Sequence, residues 1–156
     1  MPAANLAVLM LRTPSIISRI LRSRLLMFLA RVALTTAYWW GGISKLFDFP
    51  SAIAEMQHFA LRPPAVMATL TILTELGASA LLITGRLVWL SAGALGIFTA
   101  WATLVAHAYW TFPAAQRTQE FNSFLEHIGL VGGFVLAAIA NELARPTPPT
   151  GTIHTP

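Results

Sequence analysis

Cysteine is absent from the 156-residue chain, which excludes thiol catalysis, disulfide exchange and cysteine-held zinc, copper or iron–sulfur sites. Charge is scarce too. Asp, Glu, Lys and Arg make up 10% of the residues, against roughly 25% in soluble domains. Among the ten basic residues there is a single lysine, Lys45. Hydrophobic residues reach 56% and mean hydropathy is +0.66, so an ordinary water-soluble domain is ruled out. The net charge of +4 and a pI near 10.7 could suggest nucleic acid. The arginines, however, adjoin apolar runs instead of forming a basic groove with interleaved aromatics. Lipid headgroups suit them better, and nucleic acid is not an expected partner. No nucleotide or flavin fingerprint is present, and neither a metal site nor a covalently bound cofactor is expected.

Four stretches are long and apolar enough to cross a bilayer core of roughly 30 Å: approximately residues 25–47, 64–84, 87–110 and 121–143. Turn chemistry separates them. Asp48-Phe49-Pro50 closes the first, Arg62-Pro63-Pro64 opens the second, and Thr84-Gly85-Arg86 joins the second to the third. Pro113 and the polar run Gln116–Glu120 precede the fourth. The expected fold is all-α: an integral membrane four-helix bundle over residues 25–143, with an N-terminal segment 1–24 and a disordered tail 144–156.

Basic residues set the expected orientation. Arg12, Arg19, Arg22, Arg24, Arg86 and Arg145 flank one side; Lys45, Arg62 and Arg117 flank the other. Six against three places both termini in the cytoplasm of a cell in whose inner or plasma membrane the chain sits. The N-terminal arginines follow the apolar run Leu6–Leu11 and no small-residue cleavage site appears, unlike a signal peptide. Between Ser15 and Arg24, Ile16, Ile17, Ile20 and Leu21 share one face and Arg19, Arg22 and Ser23 the other. That pattern predicts a basic amphipathic helix on the leaflet surface. Ile53, Met56 and Phe59 give the Ser51–Ala60 segment a weaker amphipathic pattern.

Ionisable groups inside a membrane cost several kcal/mol unless paired or hydrated, so each marks a candidate site. Arg31, Tyr38, Gly42 and Lys45 share a face of span one, and Glu75 shares one with Ala68, Thr71, Ala78 and Ser79. His107 falls with Gly93, Gly96, Ala100, Thr103 and Trp110, and Glu126 with Asn122, Gly129 and Gly133. Because small residues let helices approach closely, these faces are expected to meet at one polar axis. Arg31 lies about 9 Å and Glu75 about 13 Å from the cytoplasmic ends of their spans, which predicts an Arg31–Glu75 salt bridge.

Lys45, His107, Tyr109, Trp110, Glu126 and His127 project near the external end, with His58 on the adjoining loop. Two histidines, a carboxylate and an amine at one depth suit a quinone headgroup or a proton relay. The plain alternative is an interfacial belt of Trp and Tyr with Lys45 snorkelling outward. Glu126 could pair with Lys45, and His107 with His127 could in principle ligate haem. His154 belongs to the tail.

Arg31 followed by Gly41-Gly42-Ile43-Ser44-Lys45-Leu46-Phe47-Asp48-Phe49 resembles the opening of the DoxX family of small four-helix membrane proteins. Leu61-Arg62-Pro63-Pro64, Glu75-Leu76-Gly77 and Leu82-Ile83-Thr84-Gly85 resemble its second span. Ala108-Tyr109-Trp110 through Pro113, Phe124-Leu125-Glu126-His127 and Gly132-Gly133 resemble its third and fourth. The resemblance covers roughly residues 25–143, with Glu126-His127 standing where the family pattern favours Lys-Asn. It implies association with quinone-linked oxidoreductase complexes, including subunits related to thiosulfate:quinone oxidoreductase, and with complexes that defend against oxidants. Arg31, Lys45 and Glu75 are the positions it carries over.

The expected function is a membrane subunit of such a complex, with redox partner proteins supplying the electron-carrying centre. Assembly with copies of itself, a non-catalytic scaffold role and a small transporter are the other readings. No residue is assigned a catalytic role.

Overall fold

A computed structural model describes residues 13–145. Arg12, His154, the first 12 residues and most of the tail lie outside the described residues. Every regular element is helical, with no strand among the described residues.

Helix α1 (Ser15–Leu21) forms where the amphipathic pattern predicts one. Ile16, Ile17, Ile20 and Leu21 are all exposed, so its apolar face has no cover from the rest of the described chain. Ser23 then caps the next helix, its hydroxyl accepting from the Leu26 N–H at 3.1 Å.

The first predicted span is two helices, α2 (Arg24–Leu34) and α3 (Thr36–Phe47), broken at the fully buried Thr35. Adjacent threonines mark the break. Thr35 Oγ1 turns back to the Arg31 carbonyl at 2.8 Å, and Thr36 Oγ1 to that of Val32 at 3.0 Å, a back-bonding that bends helices. The backbone ladder survives across it, with Thr35 N–H to Arg31 C=O at 3.1 Å and Trp39 N–H to Thr35 C=O at 3.1 Å. The kinked pair covers roughly 36 Å at helical rise, enough for a bilayer core. Three further helical stretches, Pro64–Thr84, Val88–Thr111 and Ala114–Leu143, are each long and apolar enough to cross a membrane.

Asp48 caps α4 (Phe49–His58), accepting from the Ser51 N–H at 3.1 Å. The segment predicted as a weak amphipathic stretch is thus a firm helix whose Ala52 and Met56 pack on Ala68. The second span runs α5 (Pro64–Leu73), a π-helical turn Thr74–Ala78, and α6 (Ser79–Thr84). Gly85 ends it at φ +74°. Arg86 N–H reaches Leu81 C=O at 2.9 Å and Gly85 N–H reaches Leu82 C=O at 3.1 Å, a Schellman motif.

Helix α7 (Val88–Ala106) stops at His107, and a 3₁₀ turn, Tyr109–Thr111, leads to α8 (Ala114–Leu143). The polar run Gln116–Glu120, predicted to separate the last two spans, instead forms the opening turns of α8, which Pro113 precedes. The core between α3, α6, α7 and α8 holds Tyr38, Leu82, Val88, Leu95 and Phe134, with the Tyr38 and Phe134 rings edge-to-face at 5.4 Å.

Not every small-residue face points inward. A Cβ on Gly42 would meet Leu76 at 2.8 Å, and one on Gly133 would meet Leu34 at 2.8 Å. These are close helix approaches of the expected kind. Gly93 and Gly129 would meet nothing within 4 Å, and Asn122, Glu126 and Gly129 are exposed. The inner side of α8 is instead the one bearing His127, Leu130 and Phe134, about a quarter-turn away. Phe134 fills the space against α7, so Gly129 and Gly132 are free to face outward.

Candidate functional site

Helices α3, α4, α5 with its π turn, α7 and α8 line a partly open cavity of about 230 Å³. Its polar wall includes Lys45, Glu55, Glu75, Tyr38, Thr99, His107 and His127; Met56, Phe98, Trp101 and Leu130 supply apolar surface.

Lys45 and Glu75 form the charged pole. Lys45 Nζ lies 3.3 and 3.4 Å from the two carboxylate oxygens of Glu75. Their side chains are 17% and 8% exposed, and Glu55 on α4 approaches the same ammonium at 3.8 Å. Glu75 sits in the π turn, among the buried Thr71, Ala78 and Ser79. Such insertions recur where a helix must aim a functional side chain. Tyr38 OH lies 2.6 Å from Thr99 Oγ1, which itself donates to the Leu95 carbonyl at 2.6 Å. A hydroxyl has one proton, so Tyr38 is the donor of that pair.

The histidines form the second pole. His127 Nδ1 lies 2.9 Å from Thr103 Oγ1, and His107 Nδ1 lies 2.7 Å from Glu120 Oε2. The two rings meet edge-to-face with centroids 4.9 Å apart. Rings in contact leave no gap for a porphyrin between them, so this geometry does not fit bis-histidine haem. Among the described residues no group of three or more His, Asp or Glu is placed to hold a metal ion.

The predicted Arg31–Glu75 bridge is replaced by Lys45–Glu75. Side chains lean toward the N-terminus of their own helix. On antiparallel spans that tilts Glu75 toward Lys45 and away from Arg31, a direction that depth along the axis alone misses. Arg31 instead donates from Nη2 to Asn141 Oδ1 at 3.2 Å, beside the Gly85 turn, where a Cβ would meet its guanidinium at 2.5 Å. Its Nε has no partner among the described residues.

Of the residues predicted at the external pole, Lys45, His107 and His127 line the cavity. Glu126 is exposed and does not reach Lys45. Tyr109 and Trp110 meet Phe124 edge-to-face with centroids 5.5 and 6.0 Å apart, outside the cavity. His58 packs on Phe59 at 5.0 Å.

Glu55, Glu120 and Thr99 escaped sequence reasoning. Thr99, Thr103 and His107 repeat at i, i+4 and i+8 on one face of α7, and Glu120 precedes His127 by seven residues, a spacing that puts both on one face of α8. Those spacings were available signals; Glu55 had none.

Comparison with known families matches residues 26–108 to DoxX, more than half of the chain. The chain belongs to the DoxX family. The match takes in Lys45, Glu75, Tyr38, Thr99, Thr103 and His107 of this member, while Glu120 and His127 on α8 lie beyond it. No curated protein and no solved structure gives a match. Family membership and the apolar helices together make this a multi-pass membrane protein.

Proposed function

We propose that this DoxX protein is a membrane subunit supporting a quinone-linked oxidoreductase or oxidant-defence complex, to which it contributes a quinone-headgroup pocket. One observation carries the reading: a cavity inside an apolar bundle, walled by aromatic and aliphatic side chains, with an ammonium donor at one pole and two imidazoles at the other. Apolar pockets with a few convergent polar groups are the usual form of small-molecule sites. At about 230 Å³ it suits one ring, not a fused multi-ring cofactor. A cysteine-free chain with no nucleotide fingerprint needs partner proteins to carry the electrons.

The test is thermal unfolding of the purified protein with a set of quinone headgroups. A ligand bound only by the native state stabilises it by RT ln(1 + [L]/Kd), so a melting shift that varies with headgroup is expected. No shift with any headgroup would overturn the reading.

A small transporter is favoured by a separate observation. The Thr35 break and the π turn interrupt the two helices that carry the ion pair, and discontinuous helices are common where transporters bind their cargo. Flux into liposomes decides between the two.

A further inference from the structure

Proton positions at the histidine pole follow from counting. Thr103 Oγ1 donates its one proton to the Thr99 carbonyl at 2.6 Å. Toward His127 Nδ1 it can therefore only accept, so that nitrogen carries a hydrogen. The Glu120 carboxylate likewise accepts from His107 Nδ1. With both rings neutral, each imidazole has one donor and one acceptor nitrogen, which makes both Nε2 atoms acceptors. Neither has a hydrogen-bond partner among the described residues, and neither belongs to the sealed, unpartnered atoms of the interior. Both rings line the cavity whose opposite pole is the Lys45 ammonium. The pocket thus offers acceptors at the histidine pole and, at the other, an ammonium donor flanked by the Glu75 and Glu55 carboxylates.

That polarity separates the two redox forms of one headgroup. A quinone carbonyl only accepts: it suits Lys45 but sets a lone pair against the Nε2 lone pairs. A hydroquinone hydroxyl both donates and accepts, so it suits each pole. We propose that the cavity selects the reduced, dihydroxy-aromatic form, with His107 and His127 as its acceptors and Glu120 and Thr103 as positioning residues that fix the ring tautomers. This rests on the headgroup reading above.

The test compares a short-chain 1,4-benzoquinone with its hydroquinone, the latter held reduced by dithionite under argon. The full chain is used in lipid nanodiscs at pH 8, with empty nanodiscs correcting for partitioning. Having no cysteine, the protein offers the reductant no disulfide. Hydroquinone is expected to bind about tenfold more tightly, the ratio that roughly one hydrogen bond to a buried acceptor produces. In Glu120→Gln the amide can donate to Nδ1, which turns His107 Nε2 into a donor, and the ratio should fall toward one. Glu120→Asp, which keeps the carboxylate, should retain it. Equal affinities, or tighter quinone binding, in the unmodified chain would overturn the selectivity and leave the headgroup site standing. Binding of neither form would overturn both. A ratio unchanged in Glu120→Gln would overturn the positioning role.

Discussion

Lys45 is the only lysine of the chain, and its ammonium lies between the carboxylates of Glu75 and Glu55. The two contacts differ in worth because their surroundings differ. Glu75 is buried while the Glu55 side chain is 44% exposed. Removing one partner of a buried pair strands a charge, at a cost of roughly 3–5 kcal/mol; an exposed pair contributes about 0–1 kcal/mol. Lys45→Ala should therefore lower the melting temperature sharply, and Glu55→Ala only slightly. A double-mutant cycle for stability should give Lys45 and Glu75 a coupling above about 1 kcal/mol, with Arg31 and Glu75 additive to within about 0.5 kcal/mol. Strong Arg31–Glu75 coupling would restore the pairing that the helix depths alone suggest. That both carboxylate and cation would be paired was legible from their expense in a membrane. Which cation was not, because partner choice depends on the lean of each side chain and on the π turn under Glu75.

At the scale of elements, the small-residue rule held for α3 and failed for part of α8. Gly42 is pressed against Leu76, so Gly42→Ala should overpack the α3–π-turn contact and destabilise by about 1–3 kcal/mol. Gly129 has open space around it, so Gly129→Ala should be neutral or stabilise by up to about 1 kcal/mol through helix propensity. Thermal melts of the two variants check the pair; a larger loss for Gly129→Ala would mean that α8 is turned the other way. The helix ends near Pro50, Pro64 and Gly85 were readable from those residues. The kink at Thr35 was not, since threonine back-bonding is a choice between hydrogen bonds that sequence periodicity does not record. The reach of α8 back to Ala114 was hidden by polar residues that are good helix formers but poor membrane markers.

For the whole molecule, the excess of flanking arginines predicts which way the bundle faces the bilayer. The natural chain has no cysteine, so single-cysteine variants report accessibility without background. Ser51→Cys and Gln116→Cys are expected to react with a membrane-impermeant thiol reagent in intact cells, and Arg86→Cys only after permeabilisation. The reverse pattern would invert the topology. The ion pair, the Tyr38–Thr99 contact and the histidine pole surround one cavity only because α3, α4, α5 with its π turn, α7 and α8 converge there. Sequence faces could nominate Lys45, Glu75, His107 and His127 separately, while their shared cavity depends on the packing of Phe134 and α4. The proposed quinone-headgroup site is tested by equilibrium binding of a short-chain quinone to the protein in nanodiscs. Ala102 lines the cavity and bears none of its polar groups, so Ala102→Phe should fill the space and leave the charged residues in place. Saturable one-to-one binding to the unmodified protein and loss of that binding in Ala102→Phe are expected; no saturable binding, or equal binding by the folded variant, would rule the site out.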